Sequence, residues 1–137
     1  MNIYIAGKYE NKMMIQTLKF LLGCCFCKIN FICNWAYETS FASTWKERAD
    51  RDYGSIDQCN LLIATYPFGQ GTSSEMGYAL GKKIPVIFYV DKLIHSKYEM
   101  PLPMGRLLEE NIVHTVNELL TRIGSYYRSQ GGSNVNR

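Results

Sequence analysis

Short apolar runs alternate with helical stripes along most of this chain. Asn2–Ala6 alternates weakly and ends at Gly7, the pattern of a first strand. Met14, Ile15, Leu18, Leu21 and Leu22 recur at helical spacing, which predicts a helix over Met13–Leu22 that stops at Gly23. Ile29–Trp35 is less uniformly apolar and reads as a strand nearer a sheet edge. Ser43 or Thr44 can cap a helix from Trp45 to Asp57, with Glu47 as its early acid. Leu61–Tyr66 and Ile84–Val90 are buried strands, and between them Thr72–Leu80 is a helix stopped by Gly81. Asp91–Pro103 is an irregular connection and Met104–Glu110 a short helix. Ile112–His114 is the last strand, and a closing helix from Thr115 to Tyr127 has Val116, Leu119, Leu120 and Ile123 on one face.

Strands alternating with helices imply an α/β chain. The expected architecture is a three-layer, doubly wound, five-stranded parallel sheet of the flavodoxin-like or Rossmann-like kind. Its order is 2-1-3-4-5, with the first strand central. Residues 1–128 form one domain, and the polar, glycine-bearing stretch 129–137 is an expected disordered tail.

The stretch from Gly69 to Gly81 follows a strand directly, so its loop falls at the carboxyl edge, where open α/β sheets bind ligands. Gly69 and Gly71 let a ligand approach the backbone closely. Thr72, Ser73 and Ser74 bring hydroxyls and free N–H groups to the helix start, a site for a sugar hydroxyl, carboxylate or phosphate. Glu75 is the carboxylate facing that cluster. Thr72 with Glu75 also matches a capping box, and on spacing alone that structural role is favoured. It leaves the two glycines and three consecutive hydroxyls unexplained.

Composition narrows the function classes. With 137 residues, 47% hydrophobic and 20% charged, the chain is that of a globular protein. The net charge of +3 is small and its cations are scattered, which argues against nucleic acid as a partner. No apolar run approaches the roughly 18 residues of a membrane span. Met1-Asn2-Ile3-Tyr4 enters a strand at once, with no signal peptide in view, so the expected location is the cytoplasm. Cys24, Cys25, Cys27, Cys33 and Cys59 are an odd set that suits a reducing compartment. Cys24 and Cys27 form a C-x-x-C, but no second pair at similar spacing completes a zinc site, so reduced thiols and no metal are expected.

Gly71-Thr72-Ser73-Ser74-Glu75-Met76-Gly77-Tyr78-Ala79, followed by Gly81-Lys82-Lys83-Ile84-Pro85-Val86-Ile87, resembles the nucleoside 2-deoxyribosyltransferase family. Ile3-Tyr4-Ile5-Ala6-Gly7 is similar to that family's first strand and loop, and Asp52–Asn60 to its segment before the central strand. Together these cover residues 3–90. The resemblance implies that Glu75 is the catalytic nucleophile. It gives Tyr4 the role of orienting that glutamate, and Asp52 that of the second carboxylate, in contact with substrate and glutamate. Packing is the ordinary use of a strand tyrosine like Tyr4, and Arg48 with Asp52 is also an i,i+4 pair. Trp35 and Trp45, with Tyr37 and Phe41 nearby, either stack on a base or pack their loop onto the following helix.

The family's transferases often carry a base-contacting aspartate six residues before the nucleophile, where this chain has Gly69. Relatives that hydrolyse nucleotide N-glycosidic bonds share the glutamate, so hydrolysis gains weight against transfer. The expected substrate is a small nucleoside or nucleoside 5′-monophosphate, with no organic cofactor. Its sugar would be held by Gly7, Gly69, Gly71, Thr72, Ser73 and Ser74. A homodimer or larger homo-oligomer follows from the resemblance, since an asparagine from a neighbouring subunit completes the family's site; Asn111 and Asn117 are candidates by region. Two alternatives stay open. One is a non-catalytic sensor of a nucleotide or ADP-ribose-type ligand; the other is an interaction domain in which Thr72 and Glu75 only cap a helix.

Overall fold

In the computed structural model, the described residues are 1–32, 35, 44–98 and 109–131. Cys33, Tyr37, Phe41, Pro101, Pro103, all but the end of the short helix expected over 104–110, and the tail beyond Gly131 lie outside them. Five strands form one parallel sheet in the order β2-β1-β3-β4-β5. They are β1 (Asn2–Ala6), β2 (Asn30–Phe31), β3 (Leu61–Thr65), β4 (Val86–Tyr89) and β5 (Ile112–Val113). This is the flavodoxin-like order read from the sequence.

Helices α1 (Lys12–Cys25) and α4 (Val116–Ser129) cover one face. Their Ile15, Leu18, Leu22, Leu119, Ile123 and Tyr127 pack on Ile3, Ile5, Ile63 and Ile87. Helices α2 (Trp45–Ile56) and α3 (Gln70–Gly81) cover the other, where Ile56, Met76 and Ala79 meet Tyr4, Ala6, Leu62, Ala64 and Phe88. The side-chain alternation of a strand makes this division. Ile3 and Ile5 point to the α1/α4 side, Tyr4 and Ala6 to the α2/α3 side. Tyr4 is therefore delivered to the layer that holds Glu75 and Asp52.

The middle strand is β3, not β1, and all five of its residues are buried. A buried leucine or isoleucine there is worth about 1.5–3 kcal/mol. Helix α1 does not stop at Gly23: it runs to Cys25, and Phe26 closes it by donating its N–H to the Leu22 carbonyl at 3.0 Å. A helical glycine costs about 1 kcal/mol against alanine. Burial of Leu22 and Phe26 outweighs that, so the helix passes through. Strand β4 starts at Val86 rather than Ile84, because Lys83 turns the chain at φ 60° and Ile84 N–H still bonds the Ala79 carbonyl of α3. Helix α4 reaches Ser129, inside the stretch assigned to a tail.

Candidate active site

Helix α3 begins earlier than its sequence suggests. Gly69 is its N-cap and makes no side-chain cap bond, and Ser73 N–H already donates to the Gly69 carbonyl at 2.9 Å. The N–H groups left open at this end are those of Gln70, Gly71 and Thr72, not those of Ser73 and Ser74. Thr72 lies within the first turn and is only 3% exposed. It caps nothing. The capping box expected of Thr72 and Glu75 does not form, which leaves Glu75 in the second turn with its carboxylate unclaimed by the backbone.

That carboxylate faces β1. Tyr4 Oη, fully buried, donates to Glu75 Oε1 at 3.1 Å across the layer. Removal from water pushes the Glu75 pKa up to about 7, and the negative charge of Asp52 pushes the same way. The Tyr4 hydrogen bond and the Arg51 guanidinium oppose the rise. Burial wins, as it does for carboxyl groups in apolar surroundings.

The opposite wall is α2. Thr44 caps it through a capping box: its hydroxyl accepts from Glu47 N–H at 3.2 Å, and Glu47 Oε2 accepts from Thr44 N–H at 2.7 Å. From that fixed start, Trp45, Ala49, Asp52 and Tyr53 fall on the face turned to α3. Asp52 receives Arg51 Nε at 3.0 Å and Nη2 at 2.9 Å. The Arg48 guanidinium lies over the Trp45 ring, 5.2 Å from its centroid. The Tyr53 and Ser74 hydroxyls are hydrogen-bonded to each other. Behind them the Tyr53 and Tyr78 rings sit 4.7 Å apart, and Tyr78 Oη donates to Asp57 at 3.0 Å. Asp57 also holds Lys82 Nζ at 3.1 Å. Ser55 does not line the cleft; its hydroxyl donates to the Arg51 carbonyl at 2.7 Å.

Between these walls is a cleft of about 340 Å³ at the carboxyl edge of the sheet. Glu75, Asp52, Gly7, Gly71 and Ser74 line it, and Tyr4 reaches it through Glu75. Gly69, Thr72 and Ser73 do not line it. The stem of Lys8 crosses Gly69, where a Cβ would come within 3.2 Å of its carbons. At Gly7 a Cβ would stand 2.3 Å from Thr65 Oγ1 and 2.8 Å from Ile15 Cδ1, so only glycine fits beneath the cleft. Trp35 joins the lining while its Nε1 donates to the Ile5 carbonyl at 2.9 Å. Trp45 is 83% exposed at the rim, and the loop at 36–43 that it was read as packing lies outside the described residues.

Sequence reasoning missed Arg51, Tyr53 and Tyr9, which also line the cleft. Tyr53 carried a signal: it follows Trp45 and Ala49 at helical spacing on the face that presents Asp52. Asn117 borders a separate groove along β5 and α4. The thiols of Cys24, Cys25, Cys27 and Cys59 are unbridged, and burial raises the Cys59 pKa to about 11. Among the described residues no three His, Cys, Asp or Glu side chains gather as a metal site. Nor is any helix among them long and apolar enough to cross a membrane.

No protein-family model and no curated protein matches the chain. Solved structures do. A conserved protein from Enterococcus faecalis superposes with a TM-score of 0.70 at 19% identity, over 91% of this chain and 98% of its own. A CMP N-glycosidase from Clostridium botulinum gives 0.60 at 17%, over 92% and 100%. A 2-deoxyribosyltransferase from Leishmania mexicana gives 0.53 at 16%, over 73% and 74%. The chain has the nucleoside 2-deoxyribosyltransferase-like fold. The resemblance read from Glu75 and its neighbours thus holds at the level of that fold, and the cleft lies where the fold's topology predicts.

Proposed function

We propose that this protein cleaves the N-glycosidic bond of a (deoxy)nucleoside or nucleoside 5′-monophosphate, with Glu75 as nucleophile. The observation that carries the reading is the Tyr4–Glu75 hydrogen bond at 3.1 Å, which aims a desolvated carboxylate into a cleft that also holds Asp52. Two structural neighbours with this fold are named for such chemistry, a CMP N-glycosidase and a 2-deoxyribosyltransferase.

In this mechanism a Glu75 oxygen bonds to C1′ as the C1′–N bond breaks. The electron pair of that bond leaves with the base, which takes a proton from water held beside the Asp52 carboxylate. Tyr4 keeps the second Glu75 oxygen in place, so the attacking one keeps its aim. Water then attacks C1′ of the glycosyl ester, passes a proton to the Asp52 carboxylate, and the Glu75 carboxylate departs. A free base in place of water gives transfer. Hydrolysis is favoured here, because the position of the family's base-contacting aspartate is Gly69, covered by the Lys8 stem. Trp45 and Trp35 offer ring faces to the base. The active unit is proposed to be a homodimer or larger, acting in the cytoplasm.

A second reading draws on the Glu75 pKa of about 7. A glutamic acid that keeps its proton can donate to a ribose hydroxyl and hold a nucleotide without cleaving it. One experiment separates the two: nucleosides and 5′-monophosphates are incubated with the protein, with and without a free acceptor base, and the products are resolved by chromatography. Free base without exchange marks a hydrolase, and exchange marks a transferase. Intact ligand that remains bound marks the sensor.

A further inference from the structure

Tyr53 lies in the segment Asp52–Asn60 that resembles the family's but was given no role there, yet it is the group on α2 that bonds directly to α3 beside the proposed nucleophile. Its hydroxyl and that of Ser74 are mutually hydrogen-bonded, and both line the cleft. Two hydroxyls carry two protons, and their shared bond uses one of them. Whichever oxygen accepts that bond keeps its own proton to give outward, and accepting a bond makes it the stronger donor. Ser74 and Glu75 both line the cleft, so this donor shares it with the carboxylate proposed to attack the anomeric carbon.

The pair is held from behind. Tyr78 packs its ring on Tyr53 at 4.7 Å and donates to both Asp57 oxygens at 3.0 and 3.1 Å. Asp57 in turn holds Lys82 at 3.1 Å. This chain joins α2 to α3, and it leaves the Tyr53 hydroxyl a fixed position rather than a free sweep across the cleft.

We propose that Tyr53 and Ser74 form one hydroxyl-donor subsite, which takes a hydroxyl or anionic oxygen on the sugar side of the substrate. It deepens the reading of the cleft as a nucleoside- or nucleotide-cleaving site and rests on it. The oxygen is either a sugar hydroxyl or an oxygen of a 5′-phosphate.

The test is calorimetric titration of ribose and ribose 5-phosphate into the wild type, Tyr53→Phe, Ser74→Ala and the double variant. Phenylalanine keeps the ring packing, and alanine suits an exposed helical position, so both variants are expected to melt with the wild type. Each single change should weaken ribose 5-phosphate by about tenfold, and the double change by little more than either single one, because the hydroxyls act as a unit. Loss confined to ribose 5-phosphate identifies a phosphate oxygen, and equal loss for ribose identifies a sugar hydroxyl. Additive losses, unchanged affinity in both variants, or no binding of either sugar by the wild type would overturn the subsite. Failure of the catalytic reading looks different: no base is released from any substrate, while the affinity losses remain. If base is released and Tyr53→Phe leaves KM and affinity unchanged, the reading stands and the subsite falls.

Discussion

Two stretches of this chain carry the same four-residue spacing, Thr44-x-x-Glu47 and Thr72-x-x-Glu75, and the fold uses them in opposite ways. At the first, threonine stands outside the helix and exchanges hydrogen bonds with Glu47 through both backbone and side chain. Those bonds, the backbone one foremost, hold the Glu47 carboxyl below its ordinary pKa. At the second, the helix has already begun at Gln70, Thr72 is buried inside the first turn, and Glu75 is left facing Tyr4. Burial lifts its pKa to about 7. A threonine and a glutamate three apart make a cap only if the chain enters the helix at the threonine. Gly69, with extended backbone at φ −97° and ψ 178°, starts α3 three residues too early for that. The carboxylate thereby freed is the one proposed as nucleophile.

The largest expected contrast is in turnover. Glu75→Gln should lower base release by at least about 10³-fold while ligand still binds, as loss of a nucleophile does. Glu47→Gln should leave turnover unchanged. The two carboxylates should also move stability in opposite directions with pH. Glu75 has its folded pKa raised from 4.5 to about 7, so its contribution is fully present below about pH 4.5 and is lost as pH rises through 7. Glu47 has its folded pKa lowered, so its contribution is present above its ordinary value and is lost as pH falls. Denaturation at pH 8 and pH 5 reads this directly: Glu75→Gln should stabilise the protein at pH 8, with the gain fading by pH 5. A gain that grows toward pH 5 would reverse the assignment.

Next in size is the effect of the group that distinguishes Glu75 from Glu47, the buried Tyr4 hydroxyl. In the proposed mechanism only the ionised glutamate attacks, so turnover should rise with pH through about 7 and then level off. The Tyr4 bond favours the ionised form, so Tyr4→Phe should move that midpoint upward and lower the plateau by roughly tenfold. A lowered plateau with an unmoved midpoint would limit Tyr4 to orientation alone.

Much of the fold was legible because strand and helix periods differ and this chain respects both. β3 and β4 are short β-branched and apolar runs, and α4 shows its stripe through Leu119 and Ile123. What the pattern could not place were ends decided by packing, such as α1 continuing through Gly23 to bury Phe26. At the site, the motif pointed to Glu75, and the topology brought Tyr4, Asp52 and Glu75 to one cleft edge. Thr72 was misread because capping depends on the backbone angles of Gly69, which side-chain spacing does not record. Arg51 was hidden for another reason. It neighbours Asp52 in sequence, and neighbours on a helix ordinarily face apart, yet its long side chain curls back to the carboxylate at 2.9 Å.

The smallest expected effect tests the comparison from its plain side. Thr44→Ala removes the hydroxyl that accepts from Glu47 N–H and should cost about 1 kcal/mol, seen as a melting point lower by a few degrees. Because the cap only begins α2, and Asp52 lies two turns further on, kcat should stay within about twofold of the wild type. A larger fall in kcat, without further loss of stability, would mean that the start of α2 sets the angle at which Asp52 meets Glu75. The two threonine–glutamate pairs would then be coupled parts of one site, rather than a cap and a catalyst that share only their spacing.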